Sequence, residues 1–469
     1  DGARRLLTGM SESVFVYADQ TKVFVRELDR GYPLIVRGEG LWLYDRDGTA
    51  YLDAVSGGAM VTSLGHGANE AIDAAAEQAG QVSFIYNQQF TSPSQEALAR
   101  ELTALAPAGF NRVHFVSGGA EANETAVRLA RAYHVERGEL RRTRIVSPAQ
   151  AYHGPTMVTL ALTGRPSLQH PFDPFIVPQP HIPPATWRFD PAGAGALAAL
   201  DRVLEEVGPE TVAAFLLEPV SAAALPGYTP PEAFWRGLEE RRRAHGFLVC
   251  LDEVVTGMGR TGTWFAAEQL PIEPDVITTA KGLGAGYAAI GAMLCHDRLY
   301  EAIEQGSRAF EHGHTWDGAP LPCAVGRSVI AQLTRRRLVE RVRARGPALL
   351  EQLESALEDC ELVREVRGRG YLLGVDYVDP RDGESFLPIE LAVARRIDVG
   401  ALDRGLLVYS TQSTADGYTG DQTLLAPAFV ASDAELEQIV ERLAATVRSV
   451  EGWVKARLAR PGALIGAHR

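Results

Sequence analysis

Apolar and polar positions change their period several times along the chain, and each change marks an element. Residues 41–53, LWLYDRDGTAYLD, alternate on both sides of Asp47-Gly48, which predicts a hairpin closed by a glycine-assisted turn. From about residue 66, short apolar runs alternate with helical stretches: RVHFVS at 112–117, RIVS at 144–147, VAAFLLEP at 212–219, FLVCLDEV at 247–254 and DVITTAK at 275–281. Runs that are apolar throughout predict strands covered on both faces. Their separation by helices predicts βαβ units around a mostly parallel sheet.

The segment after RVHFVS carries Ala122, Ala126, Leu129, Ala130 and Tyr133 at helical spacing and ends at Gly138. One strand therefore feeds one helix through a glycine pair. After about residue 325 the pattern becomes Arg-rich and amphipathic, and REVRGRGYLLGVDY at 364–377 reads as one strand interrupted by glycines. The last helix opens on the capping box Ser432 to Glu435 and aligns Leu436, Ile439, Val440, Leu443, Val447 and Val450. The Pro-rich stretch around 177–191 reads as a long surface loop. The expected class is α/β. An N-terminal segment (1–65) joins a small α+β domain (326–469), and a large sheet domain lies between them (66–325).

Composition narrows the partners. The 469 residues are 46% hydrophobic and 22% charged, an ordinary globular balance, and a net charge of −13 disfavours nucleic acid and anionic membranes. No apolar run approaches the ~18 residues of a membrane span, and the first residues lack a signal-peptide core. Cys250, Cys295, Cys323 and Cys360 form no CxxC pair, so neither zinc nor a disulfide framework is expected, and no metal site is expected at all. A reducing cytoplasm fits this usage. Lysine is the informative residue: only Lys22, Lys281 and Lys455 occur among 46 basic residues.

Three segments carry candidate chemistry. SGGAEANE at 117–124 sets two glycines between a strand and a helix whose first N–H groups are free, a geometry that binds anions or simply makes a tight turn. It is neither a Walker loop nor a GxGxxG fingerprint. LVCLDEVVTGMGRTG at 248–262 ends a buried strand on Asp252 and Glu253, where parallel sheets face their ligand crevice, although a carboxylate there can also cap a turn. VITTAKGLGAGYAAIGAML at 276–294 sets Lys281 at another strand end among small residues. A lysine so placed, in a chain that otherwise uses arginine, points to covalent chemistry.

In this order and spacing the segments resemble the class III, or ω-type, aminotransferases, pyridoxal-phosphate-dependent enzymes of fold type I. DAVSGGAMVTSLGHG at 53–67, AYHG at 151–154, EPV at 218–220 and HGHTWDGAPLPCA at 312–324 extend the resemblance over about residues 35–450. It implies that Lys281 forms the internal Schiff base and shuttles the proton, and that Asp252 keeps the pyridine nitrogen protonated. At about 4 Å and an effective dielectric near 20, such a pair is worth roughly 4 kcal/mol before desolvation. Tyr152 would stack on one ring face and Val254 on the other. His153 belongs to the same cofactor-binding set, with Glu218 and Glu253 as supporting or pocket carboxylates. The phosphate would lie on the backbone of Gly118, Gly119 and Ala120, with Thr315 reaching in from the neighbouring subunit of a homodimer or larger homo-oligomer.

Two departures bear on binding and substrate. Ala120 replaces the serine or threonine of many relatives and removes one phosphate donor. The arginine that many relatives carry before a GD dipeptide, to dock a substrate carboxylate, is missing: Tyr409 stands near its position, and no arginine lies between Arg404 and Arg442. Either another arginine has taken over or the acceptor is held differently. Phe84, Tyr86 and Phe90 are candidates for an apolar substrate pocket, and equally for core aromatics. The expected partners are a small amine or amino-acid donor and a carbonyl acceptor. An aminomutase, an epimerase or a decarboxylating enzyme uses the same machinery, and a non-catalytic ligand-binding protein is the alternative of another class.

Overall fold

The computed structural model describes residues 15–186, 190–412 and 420–459. Near the N-terminus β1 (Ile35–Glu39), β2 (Trp42–Asp45) and β3 (Ala50–Asp53) form an antiparallel meander. The hairpin predicted at Asp47-Gly48 is present, with Trp42 opposite Leu52 and Gly48 turning at φ +85°. Asp45 closes it, because its Oδ1 accepts from the N–H groups of Asp47 (3.1 Å) and Thr49 (2.9 Å).

The central sheet contains β4 (Arg112–Val116), β5 (Arg144–Pro148), β6 (His181–Ile182), β7 (Val212–Leu217), β8 (Leu248–Asp252), β9 (Val276–Thr279) and β10 (Gly291–Cys295), in the order β4-β10-β9-β8-β7-β5-β6. Every residue of β7 and β8 is buried, as the apolar runs require of strands covered on both faces. β10 is antiparallel to both β9 and β4, so the sheet is mixed at one position. No strand is expected at β10, whose GAMLC run follows a glycine-rich loop too short to hold the crossover that a parallel neighbour needs. Helix α1 (Gly119–Glu136) leaves β4 directly and buries the five predicted positions from Ala122 to Tyr133.

Two expectations are corrected. The stretch around 177–191 is more than a surface loop: His181–Ile182 pairs in parallel with β5, and Ile182 is 1% exposed in the core, while residues 187–189 lie outside the described residues. Residues 364–377 are not one interrupted strand but an antiparallel pair, β11 (Val363–Arg369) and β12 (Leu372–Tyr377). The chain reverses at Gly370, φ +60°, where a Cβ would stand 2.6 Å from the Arg260 carbonyl oxygen.

The C-terminal part adds α2 (Pro320–Arg335), α3 (Leu338–Leu357), β13 (Leu406–Leu407), β14 (Tyr409–Thr411), β15 (Gln422–Leu425) and α4 (Asp433–Leu458). β11-β12-β15-β14 form one sheet, and β13 pairs in parallel with β3, joining the N-terminal meander to the C-terminal chain. α4 carries the predicted capping box and buries the six predicted apolar positions. Arg260 ties three distant segments together, donating to Pro427 O (2.5 Å), Ser56 Oγ (3.1 Å) and Tyr371 O (3.3 Å). Burial pushes its pKa down to about 9. Among the described residues no helix is long and apolar enough to cross a membrane, no cluster of His, Cys, Asp and Glu suits a metal, and the four cysteines are buried and unpaired.

Candidate active site

β4, β5, β7, β8 and β9 run in one direction, so their carboxyl ends open on the same side of the sheet. Each delivers a predicted residue within a few positions of its end: Gly118 after β4, Tyr152 after β5, Glu218 after β7, Asp252 at the end of β8 and Lys281 after β9. These residues, with Gly119, Ala120, His153 and Val254, line one cavity of about 270 Å³. A parallel sheet builds its ligand crevice this way, because the loops after its strands are free to differ while the strands hold their registers.

The carboxylate of Asp252 is held through both of its oxygens. Its Oδ2 accepts from Asn123 Nδ2 at 2.7 Å and lies 2.7 Å from His153 Nδ1, while its Oδ1 accepts from the Val254 N–H at 3.0 Å. Asn123 is itself locked: Nδ2 also donates to His153 O (2.9 Å), and Oδ1 accepts from Thr278 Oγ1 (2.7 Å). His153 thus reaches the cavity chiefly by orienting Asp252. Neither Asn123 nor Thr278 is among the residues expected from the sequence. The available signal was a polar residue beside Ala122, on the face of α1 that packs into the core.

Lys281 follows β9 with φ +37°, in the left-handed region that residues with a Cβ seldom enter. Burial brings its pKa down to about 8, against the opposing pull of the Asp252 and Glu218 charges. Glu218 accepts from the N–H groups of Ala222 (3.2 Å) and Tyr152 (3.3 Å) and from Ser221 Oγ (3.3 Å). Burial first, and then the Asp252 charge working against His153, lift its carboxyl to about 7.

At the start of α1, where the first helical N–H groups have no intrahelical partner, Gly118, Gly119 and Ala120 line the cavity. A Cβ on Gly119 would come within 2.7 Å of Val254 Cγ1, so the helix start and the Val254 wall meet only because that Cβ is absent. A Cβ on Gly118 would meet nothing within 4 Å, which leaves the cradle open. Tyr152 is half-buried, and burial raises its phenol above its ordinary value.

The remaining candidates are placed differently. Glu253 turns away from the cavity: it is fully buried and accepts from the N–H groups of Ala266 (2.6 Å) and Ala267 (2.8 Å) and from Thr256 Oγ1 (3.0 Å). Its neighbour Asp252 points to the other face, as alternation along a strand demands. Thr315 is exposed, as are Phe84 (38%), Tyr86 (42%) and Phe90 (62%), and none of them lines the cavity. Phe84 packs edge-on against Trp316, with ring centroids 5.3 Å apart. Tyr409 opens β14, half-buried, and its phenol acts on Tyr152. Residues 413–419, the long loop before Gly420-Asp421, lie outside the described residues.

An anion cradle at a helix start, an amine whose proton is loosely held, and a fixed carboxylate share one cavity. This donor set fits pyridoxal phosphate, which carries a phosphate, an aldehyde and a basic ring nitrogen. Comparison with known proteins agrees. The family model "Aminotransferase class-III" matches residues 26–447. The uncharacterized aminotransferase YodT of Bacillus subtilis is 35% identical over 92% of this chain and 98% of its own. Among solved structures, an (S)-enantioselective ω-transaminase from Thermomicrobium roseum superposes with a TM-score of 0.85 at 32% identity, covering 96% of this chain and 99% of that one. A PLP-bound amine transaminase from an uncultivated Pseudomonas species gives 0.84 at 29% identity, covering 94% and 100%. The chain belongs to the class III aminotransferases, pyridoxal-phosphate-dependent enzymes of fold type I.

Proposed function

We propose that this aminotransferase takes an amino group from an amine or a monocarboxylate amino acid and passes it to a small keto acid or an aldehyde, in two half-reactions at one site. The observation that carries this reading is the shared cavity of Lys281, Asp252 and the start of α1. Pyridoxal phosphate supplies the aldehyde that receives the amine and a ring that accepts the electron pair left when the substrate carbon loses its proton.

The chain's own residues do the rest. Lys281 would hold the cofactor through its amine and would move the proton at the substrate carbon. A pKa of about 8 leaves part of its population neutral in mildly alkaline solution, the form needed for both tasks. Asp252, aimed by Asn123 and His153, would hold a proton on the ring nitrogen. Val254 and Tyr152, both on the cavity wall, would hold the ring between them, and Glu218 keeps the Tyr152 backbone in place. The amides of Gly118, Gly119 and Ala120 bind the phosphate without a hydroxyl from residue 120.

Exposed Phe84, Tyr86, Phe90 and Trp316, with Phe84 packed on Trp316 next to Thr315 in the chain, support a homodimer in which Thr315 of a second copy completes the phosphate site. In the same reading the chain divides near residues 65 and 325. The second junction runs through α2, which makes it a continuous helix. Four buried, unpaired cysteines are compatible with a cytoplasmic enzyme.

A half-reaction screen tests the proposal. Holoenzyme mixed with amines, alanine-like amino acids and glutamate is followed spectroscopically for conversion of the cofactor to its aminated form. Conversion by amines and monocarboxylates with little by glutamate is expected. A clear preference for glutamate overturns the substrate class, and loss of the aldehyde form without the aminated one overturns transamination.

A further inference from the structure

We propose that Arg165 docks the single carboxylate of an amino-acid or keto-acid substrate at the rim of the cavity, replacing the arginine that the C-terminal loop does not supply. This rests on the transamination reading above.

The placement of Arg165 carries it. The residue follows the short helix Met157–Leu162, and its two terminal nitrogens reach acceptors on separate parts of the molecule: Ala223 O at 3.5 Å and Thr411 Oγ1 at 3.1 Å. Ala223 lines the cavity. Thr411 ends β14, the strand that begins at Tyr409, where the sequence lacks the expected arginine. Arg165 therefore arrives from 246 residues away beside the position whose function it would assume. Its charge lowers the Tyr152 phenol against the pull of burial, and Tyr152 lines the cavity, so the cation stands close to the cavity wall.

Its base is rigid. Gly164 forms a bridge with Ala149, the Gln150 N–H donates to Gly164 O at 2.7 Å, and a Cβ at Gly164 would stand 2.5 Å from Ala149 Cα. Among the described residues no carboxylate pairs with Arg165, and both of its acceptors are neutral. A half-buried guanidinium with an unneutralised charge and a fixed base is suited to a carboxylate, which it can receive through two parallel hydrogen bonds. One such cation receives one carboxylate, which favours alanine and pyruvate over glutamate and 2-oxoglutarate. Arg26 also acts on Tyr152, but it lies on an exposed segment.

The test compares alanine with 1-phenylethylamine as donors to holoenzyme in wild type, Arg165→Met, Arg165→Lys and Arg26→Met, and measures competitive inhibition by propanoate. In Arg165→Met the ratio of kcat/KM for alanine to that for the amine is expected to fall roughly 10- to 100-fold, mainly through KM, with a matching rise in the propanoate inhibition constant. Arg165→Lys should recover part of the loss, and Arg26→Met should leave the ratio within about threefold of wild type. An unchanged ratio in Arg165→Met, or an equal loss for both donors, overturns the assignment while transamination stands. A drop confined to Arg26→Met overturns it in favour of Arg26. Wild-type enzyme that aminates its cofactor with neither donor overturns the transamination reading, and this inference with it.

Discussion

His153 and Asp252 form a buried pair, with His153 Nδ1 2.7 Å from Asp252 Oδ2 and side-chain exposures of 0% and 4%. Because the carboxylate can only accept, His153 carries its proton on Nδ1 in this pair. Asn123 donates to the same oxygen, so Oδ2 has two donors and the carboxylate cannot rotate without losing both. Such support holds a charge at a fixed point, so that little reorganisation is needed when charge develops opposite it.

Asp252→Asn keeps the shape of the site and removes the charge. The chemical step should slow by roughly 100-fold or more, with a much smaller change in cofactor occupancy. Stopped-flow half-reactions measure the first, and absorbance of the purified enzyme measures the second. Asn123→Ala leaves the charge but loosens it, so a smaller loss, about tenfold, is expected. An unchanged rate in Asp252→Asn would reduce that residue to a structural role.

Borohydride reduction of the holoenzyme should fix the cofactor on the peptide containing Lys281, and mass spectrometry reads the site directly. Label on Lys22 or Lys455 contradicts the assignment. Lys281→Ala should still bind pyridoxal phosphate through the α1 cradle but should not turn over.

Cofactor capture by the apoenzyme should depend on pH through Lys281. Its pKa is lowered from 10.5 to about 8, so the reactive neutral amine accumulates as pH rises and is nearly complete about one unit above 8. The capture rate should climb from pH 7 and level near 9. A climb continuing toward 10.5 would mean that burial does not depress this amine.

Glu253→Ala should act on stability, not on chemistry. It strips the Ala266 and Ala267 amides of their acceptor in a fully buried site, a loss of roughly 2–4 kcal/mol. Thermal unfolding should fall by several degrees while the bound-cofactor spectrum is unchanged. A variant as stable as wild type but impaired in turnover would return Glu253 to the active site.

Trp316→Glu adds a charge to the exposed aromatic patch around Phe84 and should shift sedimentation toward monomer, with loss of activity. Thr315→Ala should leave assembly intact and weaken cofactor retention severalfold. A stable, fully active monomer would refute an active site shared between subunits.

The order of motifs was legible because the sheet translates sequence into space simply. Each parallel strand hands over its residue within a few positions of its carboxyl end, so SGGA, AYHG, EPV, LDE and TTAK each bring their own piece of the cavity. Periodicity alone also determined α1, α4 and the hairpin at Asp47-Gly48, since apolar spacing, a capping box and a turn pair are local properties.

Pairings across distance are not local, and they form only when the chain is folded. Asn123 supports Asp252 across 129 residues, and Arg165 meets Thr411 across 246. An asparagine or an arginine has no spacing that announces such a partner. Strand β10 was hidden because five apolar residues after a glycine-rich loop fit several structures until neighbours on both sides claim their hydrogen bonds. Phe84, Tyr86 and Phe90 read alike as core or pocket, because aromaticity says only that a ring seeks cover, and a single chain leaves all three exposed. Local patterns in the chain specify which groups are available and which strand end holds each. The folded chain decided which of them touch, because contacts between remote segments depend on how the sheet and helices pack, not on any pattern within one segment.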